Sequence, residues 1–242
     1  MLRHVFVGTG VLDRPHKNNV TLFSHTEKTM TKFLIIRHGE SEANLLDVFA
    51  GNYDAPLTER GLMQAKRTAE YIKENHKVDK IVASDLKRAY ATGKTLSDML
   101  GLDITSTNQL REICAGDWEG VPFTTIKKEY PETYDKWFRD MSNCRCPNGE
   151  SVRELGDRIF GCFKRLAEEN PDMTVAVATH ATPIRVLQAI ITYGDVSGTM
   201  NVNWVTNASV STVVYENGKW SFTDVSYDKH LEGILTTLPK YI

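Results

Sequence analysis

The stretch FLIIRHGESEAN, residues 33 to 44, runs four apolar residues straight into Arg37, His38 and Gly39. A short unbroken apolar run reads as a strand buried on both faces, the kind that parallel sheets contain. Ending such a strand on a cation and an imidazole places both groups at the carboxyl edge of the sheet, where open α/β sheets bind ligands. Two further runs share the pattern, KIVAS (80–84) and MTVAVAT (173–179). Between the first two, LTERGLMQAKRTAEYIKEN (57–75) offers Thr58 as a helix cap and repeats Leu62, Ala65, Ala69 and Ile72 at spacings of three and four. SDLKRAYATGKTLSDMLG (84–101) predicts a second helix, with Ser84 as cap and Gly101 as stop. ESVRELGDRIFGCFKRLAEENP (150–171) and TPIRVLQAII (182–191) predict two more, and SVSTVVYENGKWSFTDVSY (209–227) alternates in period two around Asn217-Gly218, a hairpin signal. Strands alternating with helices predict an α/β fold: a mostly parallel central sheet between two helical layers, an α/β/α sandwich.

Around that frame the composition is ordinary. The 242 residues are 41% hydrophobic and 25% charged, enough for one domain with a sizeable core. A net charge of −2 supplies no basic field for nucleic acid, and no apolar run approaches the ~20 residues of a membrane span. Cys114, Cys144, Cys146 and Cys162 complete no zinc spacing and read as free thiols of a cytoplasmic protein. Residues 1–30 lack a sustained apolar period and read as a loosely ordered extension, leaving 31–242 as the domain.

The strand ends gather Arg37 and His38 after the first run, Arg88 early in the helix after the second, and His180 after the third. Burying four such groups together is costly without an anion to pair them, and a phosphoryl group fits the planar fork of arginine. Gly39 would let the backbone approach it closely. The segments RHGESEAN (37–44), SDLKRA (84–89), LREICAGDWEG (110–120) and THATPIRVL (179–187), in that order, resemble the histidine phosphatase superfamily, the relatives of cofactor-dependent phosphoglycerate mutase.

The resemblance, spanning roughly residues 32–230, implies a phosphoglycerate mutase-like fold and a metal-independent phosphomonoester hydrolase without cofactor. It implies that His38 is the nucleophile, phosphorylated on its ring, that Arg37, Arg88 and His180 hold the phosphoryl, and that Glu112 is the proton donor. Asn44, Ser41, Gly51 and Ala181 become candidate substrate contacts, and Asp85, Asp117 and Glu119 compete with Glu112 for proton transfer. Trp118 and Glu119 read better as loop scaffold. One departure stands out: His180-Ala181-Thr182-Pro183 replaces the family's usual His-Gly-Gly, which raises a question of loop shape.

Three functions compete: a phosphatase, a mutase that returns the phosphoryl to a substrate, and a phosphate-binding pseudoenzyme. Mutases of this type carry a long Pro-rich insertion after the proton-donor segment, whereas this chain has only KKEYPETYDKWFRDMSNCRCPNGES (127–151), which favours the phosphatase. The expected partner is a small phosphorylated metabolite, with neither nucleic acid nor membrane, and a homodimer is compatible with the chain. Substrate contacts are sought among Phe49, Tyr53, Phe123, Tyr130, Tyr134, Trp137 and Phe138, with Lys127, Arg139 or Arg145 able to read a second acidic group.

Overall fold

The structure, a computed structural model, describes residues 29–237. In chain order it contains β1 (Met30–Arg37), the single turn α1 (Glu42–Leu45), β2 (Val48–Phe49), α2 (Glu59–Asn75), β3 (Lys80–Ser84) and α3 (Lys87–Leu100). β4 (Ile104–Thr107), β5 (Val121–Pro122), α4 (Phe123–Glu129), α5 (Pro131–Arg139) and α6 (Val152–Glu169) follow. The last elements are β6 (Thr174–Thr179), α7 (Ala181–Tyr193), β7 (Val210–Glu216) and β8 (Lys219–Tyr227). The extension expected over residues 1–30 lies outside the described residues except for its end, where Met30 already belongs to β1 and its N–H donates to Asp172 Oδ1 at 2.9 Å.

Six strands form the central sheet in the order β4-β3-β6-β1-β7-β8. The first four are mutually parallel, and β7 and β8 complete the sheet as an antiparallel hairpin beside β1. The sheet is therefore mostly parallel, as the alternation of strands and helices predicts. Phe33 and Ile35 of β1 face one core with Leu155, Ile159 and Phe163 of α6 and Ile184 and Leu187 of α7. Leu34 and Ile36 face a second core with Ala69 and Ile72 of α2 and Leu96 of α3. Burial on both faces explains why this strand reads as an unbroken apolar run rather than an alternating one. Asn217 and Gly218 both take positive φ, 52° and 77°, as a two-residue hairpin turn requires.

Two details of the helices differ from expectation. Thr58 caps α2, accepting from the Gly61 N–H at 3.0 Å, but Leu62 is 53% exposed and the buried stripe starts at Gly61 instead. The reason is backbone contact: a Cβ on Gly61 would stand 2.0 Å from the Glu40 carbonyl oxygen, and one on Gly39 would stand 2.5 Å from that of Gly61. Gly39 thus serves the docking of α2 against the loop after β1. Ser84 does not cap α3, whose N-cap is Leu86. Its hydroxyl accepts from the Leu86 N–H at 3.3 Å and lies 2.8 Å from His180 Nε2, a role in the site rather than in the helix. Among the described residues no helix is long and apolar enough to cross a membrane, and the four cysteines are free.

Candidate active site

The strand order does the assembling. β6 lies between β3 and β1, so the carboxyl ends of three parallel strands deliver His180, the α3 start with Arg88, and Arg37 with His38 to one edge. β4, the outer neighbour of β3, leads through the turn 108–110 to Glu112. Arg37, His38, Asn44, Gly51, Arg88, Glu112 and Ala181 all line one cavity. Arg37, His38, Arg88, Glu112 and His180 are each less than a tenth exposed.

His38 is held in one tautomer. Its Nδ1 lies 2.7 Å from the Gly39 carbonyl oxygen, and a carbonyl only accepts, so the ring hydrogen sits on Nδ1 and Nε2 keeps its lone pair. Burial, then the charges of Arg88 and Arg37, push its pKa well below the usual histidine value. A neutral, oriented imidazole at neutral pH is the result. His180, whose ring centroid is 5.1 Å from that of His38, is likewise pushed down by burial and by Arg88.

The arginines are fixed by backbone carbonyls rather than by carboxylates. Arg88 donates through Nη1 to Tyr53 O at 2.9 Å and through Nη2 to Gly51 O at 2.7 Å, and Arg37 donates through Nη1 to Val205 O. Burial lowers both pKa values, that of Arg37 to about 10, while Glu112 acts in the opposite direction on each, so both guanidiniums keep their charge at neutral pH. The Nε of Arg37, the Nε of Arg88 and the Nδ1 of His180 are buried without a hydrogen-bond partner. Buried polar atoms left unpartnered in a native fold call for an explanation, and the two arginine atoms, on residues that line the cavity, fit the oxygens of an anion.

Glu112 is held by two N–H groups: Oε1 accepts from Ile113 at 2.9 Å and Oε2 from Thr182 at 3.3 Å. Its segment is clamped from α6, where Arg158 donates to the carbonyls of Gln109, Arg111 and Glu112 at 2.9, 3.0 and 3.2 Å and to Glu150 at 2.8 and 2.9 Å. The competing carboxylates are elsewhere engaged. Asp85 takes both donors of Arg111 at 2.7 Å, Asp117 accepts from Asn148, and Glu119 accepts from the N–H groups of Asn52 and Ala115. Trp118 is 1% exposed, so it and Glu119 are the scaffold that their reading predicts.

Ser41 does not reach the cavity. It caps α1, is fully buried, and donates to Asn44 Oδ1 at 3.0 Å, which leaves the amide N–H groups of Asn44 as donors. Ala181 is the first residue of α7 after an extended His180, so its Cβ meets no backbone strain and the departure from His-Gly-Gly leaves the turn intact. Asn207 is a residue that strand-end reasoning misses. It lies in the cavity wall, and its Nδ2 donates to His38 O at 3.1 Å and Asn44 Oδ1 at 3.2 Å. Because β7 runs antiparallel to β1, the residues before its start meet the same edge, which a search restricted to carboxyl ends overlooks.

The histidine phosphatase superfamily (branch 1) model matches residues 33–228. The chain is 32% identical over 206 residues to the protein named uncharacterized phosphatase PhoE of Bacillus subtilis, covering 85% of this chain and 100% of that protein. Phosphoserine phosphatase 1 of Hydrogenobacter thermophilus is 28% identical, over 84% of this chain and 95% of its own. Among solved structures, a mycobacterial glucosyl-3-phosphoglycerate phosphatase superposes with a TM-score of 0.75 at 26% identity, over 82% of this chain and 99% of its own. With the match running from β1 to past the end of β8, this chain belongs to the histidine phosphatase superfamily.

Proposed function

We propose that the chain is a metal-independent phosphomonoesterase that works through phosphohistidine at His38, and that its substrates are small phosphorylated metabolites met in the cytoplasm. Two buried guanidiniums with unpartnered Nε–H groups, set around a neutral imidazole whose Nε2 is unencumbered, carry this reading. The phosphatase names of its relatives support it, as does the short segment after Glu112.

In the first step His38 Nε2 attacks phosphorus as the bond to the leaving oxygen breaks, and protonated Glu112 gives that oxygen its hydrogen. Arg37 and Arg88 stabilise the charge on the phosphoryl oxygens, supplying the positive charge that a metal provides elsewhere. Ser84 Oγ can turn its hydrogen to His180 Nε2, which puts the ring hydrogen on Nδ1 as a third donor. In the second step the Glu112 carboxylate takes a proton from water, the oxygen attacks phosphorus, and the P–N bond breaks. Inorganic phosphate leaves, and His38 returns to its neutral tautomer.

Chelator-treated protein should hydrolyse a generic phosphomonoester as fast as untreated protein, and His38→Ala should not turn over. Loss of activity that magnesium restores, or substantial turnover by His38→Ala, would overturn the proposal.

A further inference from the structure

The turn that supports the nucleophile contains a residue in a backbone conformation that its own side chain disfavours. Ala208 is fully buried and takes a φ of 59°, the left-handed region that residues with a Cβ seldom adopt. Its N–H donates to the Arg37 carbonyl at 3.0 Å and to the His38 carbonyl at 3.2 Å, and the side-chain amide of the preceding Asn207 donates to the same His38 carbonyl at 3.1 Å. We propose that Thr68 and His230 are positioning residues for phosphoryl transfer: their hydrogen-bond chain holds Ala208 in that conformation and, through Ala208, the main chain of Arg37 and His38. The inference rests on the phosphatase reading of the same site.

The direction of each bond follows from its chemistry. Thr68 lies on α2, is buried, and has its Oγ1 2.7 Å from the Ala208 carbonyl oxygen and 2.9 Å from His230 Nε2. A carbonyl only accepts, so the single hydroxyl hydrogen goes to Ala208 and the hydroxyl meets His230 as an acceptor. His230 therefore carries its hydrogen on Nε2, and the chain runs one way, from His230 to Thr68 to the Ala208 carbonyl. The imidazole is itself held in place. It lies nearly parallel to the Tyr71 ring at 4.7 Å and to the Tyr227 ring at 5.8 Å, with interplanar angles of 8° and 13°. Tyr71 follows Thr68 by three residues on α2, so one face of that helix presents both the hydroxyl and the stacking ring.

Neither Thr68 nor His230 is in the cavity wall, so any effect on the reaction must pass through residues 205–208. That segment carries the Val205 carbonyl that holds Arg37, the Asn207 amide, and the Thr206 N–H that donates to Ser226 Oγ at 2.9 Å. Without the Thr68 hydroxyl the buried Ala208 carbonyl loses the donor that offsets its strained φ, and the segment relaxes away from the backbone of His38. Glu112 is held separately, by the N–H groups of Ile113 and Thr182 and by the Arg158 clamp on its segment. The loss should therefore fall on attack by His38 and on the grip of Arg37, and leave proton donation alone.

The test measures kcat/KM of the full chain on glycerol phosphate and nitrophenyl phosphate, well below the Tm of each variant. Thr68→Val keeps the shape without the hydroxyl, and His230→Phe keeps a ring against Tyr71 and Tyr227 without the donor. Each should lower kcat/KM about tenfold, by the same factor on both esters. Thr68→Ser and His230→Gln restore a hydroxyl and an N–H donor and should recover most of the loss. The double variant Thr68→Val, His230→Phe should be no worse than the poorer single one, because both changes cut one chain. Should Thr68→Val fold poorly, the two His230 variants decide the matter alone. Wild-type kcat/KM in His230→Phe, with or without a lowered Tm, a loss that His230→Gln does not recover, or losses that multiply in the double variant would overturn the inference while leaving the phosphatase reading in place. Absence of turnover by the wild type would instead count against the phosphatase reading. Binding of orthovanadate, a five-coordinate mimic of the transferring phosphoryl, then decides the inference: weakening in His230→Phe that His230→Gln reverses supports it, and unchanged or unreversed binding overturns it.

Discussion

The account requires His38 and His180 to stay neutral in the folded chain, and this has a consequence for stability. Both are buried and both have pKa values well below the ordinary value, through burial first and then Arg88, with Arg37 contributing to each. An unfolded histidine titrates near pH 6.5, so on acidification the unfolded chain binds protons that the folded chain refuses. Stability is therefore complete above about pH 6.5 and is lost as pH falls below it. Between about pH 7.5 and about pH 5.5, one histidine held neutral throughout costs about 1 kcal/mol, and two cost about 3 kcal/mol. Urea unfolding at the two pH values measures this in wild type and in the double variant His38→Asn, His180→Asn. The double substitution is used because the rings are neighbours and single changes would not add. His76 and His230, also pushed down by burial, remain in both proteins and cancel. Wild type should lose about 3 kcal/mol more than the variant over that interval. An equal loss in the two proteins would mean that the imidazoles are protonated when folded, and His38 would then lack the lone pair that the mechanism uses.

The remaining predictions separate the parts of the site. Glu112→Gln should lower kcat/KM, which reports the phosphorylation step, by about 10² to 10⁴ for alkyl phosphates and much less for aryl phosphates, whereas Arg88→Ala should lower both alike, as kcat/KM on a sugar phosphate and nitrophenyl phosphate will show. Arg158→Ala removes the clamp on the Glu112 segment without touching the cavity wall. It should lower kcat/KM on alkyl phosphates more than on aryl phosphates, and free guanidinium should restore part of the loss; a variant not rescued, or with kcat/KM impaired equally on aryl phosphates, would show that the clamp does not act through Glu112.

Much of this arrangement was legible because it depends on short-range pattern. The run Phe33–Ile36 reads as a two-face-buried strand, and His38 and His180 follow their strands directly, so finding the strands finds the residues. Arg88 was equally accessible, since α3 begins one residue before it. What escaped depends on contacts between distant segments. Ser84 has the chemistry of a cap, but the strand turns two residues later and its hydroxyl meets His180 instead. Gly39 and Gly61 are 22 positions apart, and nothing local marks them as touching backbones. Ser41 shares its motif with residues that line the cavity, yet the single turn of α1 claims its hydroxyl. Asn207 lies in the turn before an antiparallel strand, against the direction in which the other cavity residues arrive.

The central claim is a covalent bond between phosphorus and His38 Nε2. The direct measurement mixes the chain with a labelled phosphomonoester, quenches within the turnover time in alkali, where phosphohistidine survives, and maps the label by mass spectrometry. The account predicts a phosphoryl group on the peptide that contains His38, lost on acidification, absent from His38→Ala, and accumulating in Glu112→Gln turning over nitrophenyl phosphate, where attack by water is slowed. Turnover at the normal rate with no label on His38 at any quench time would contradict it.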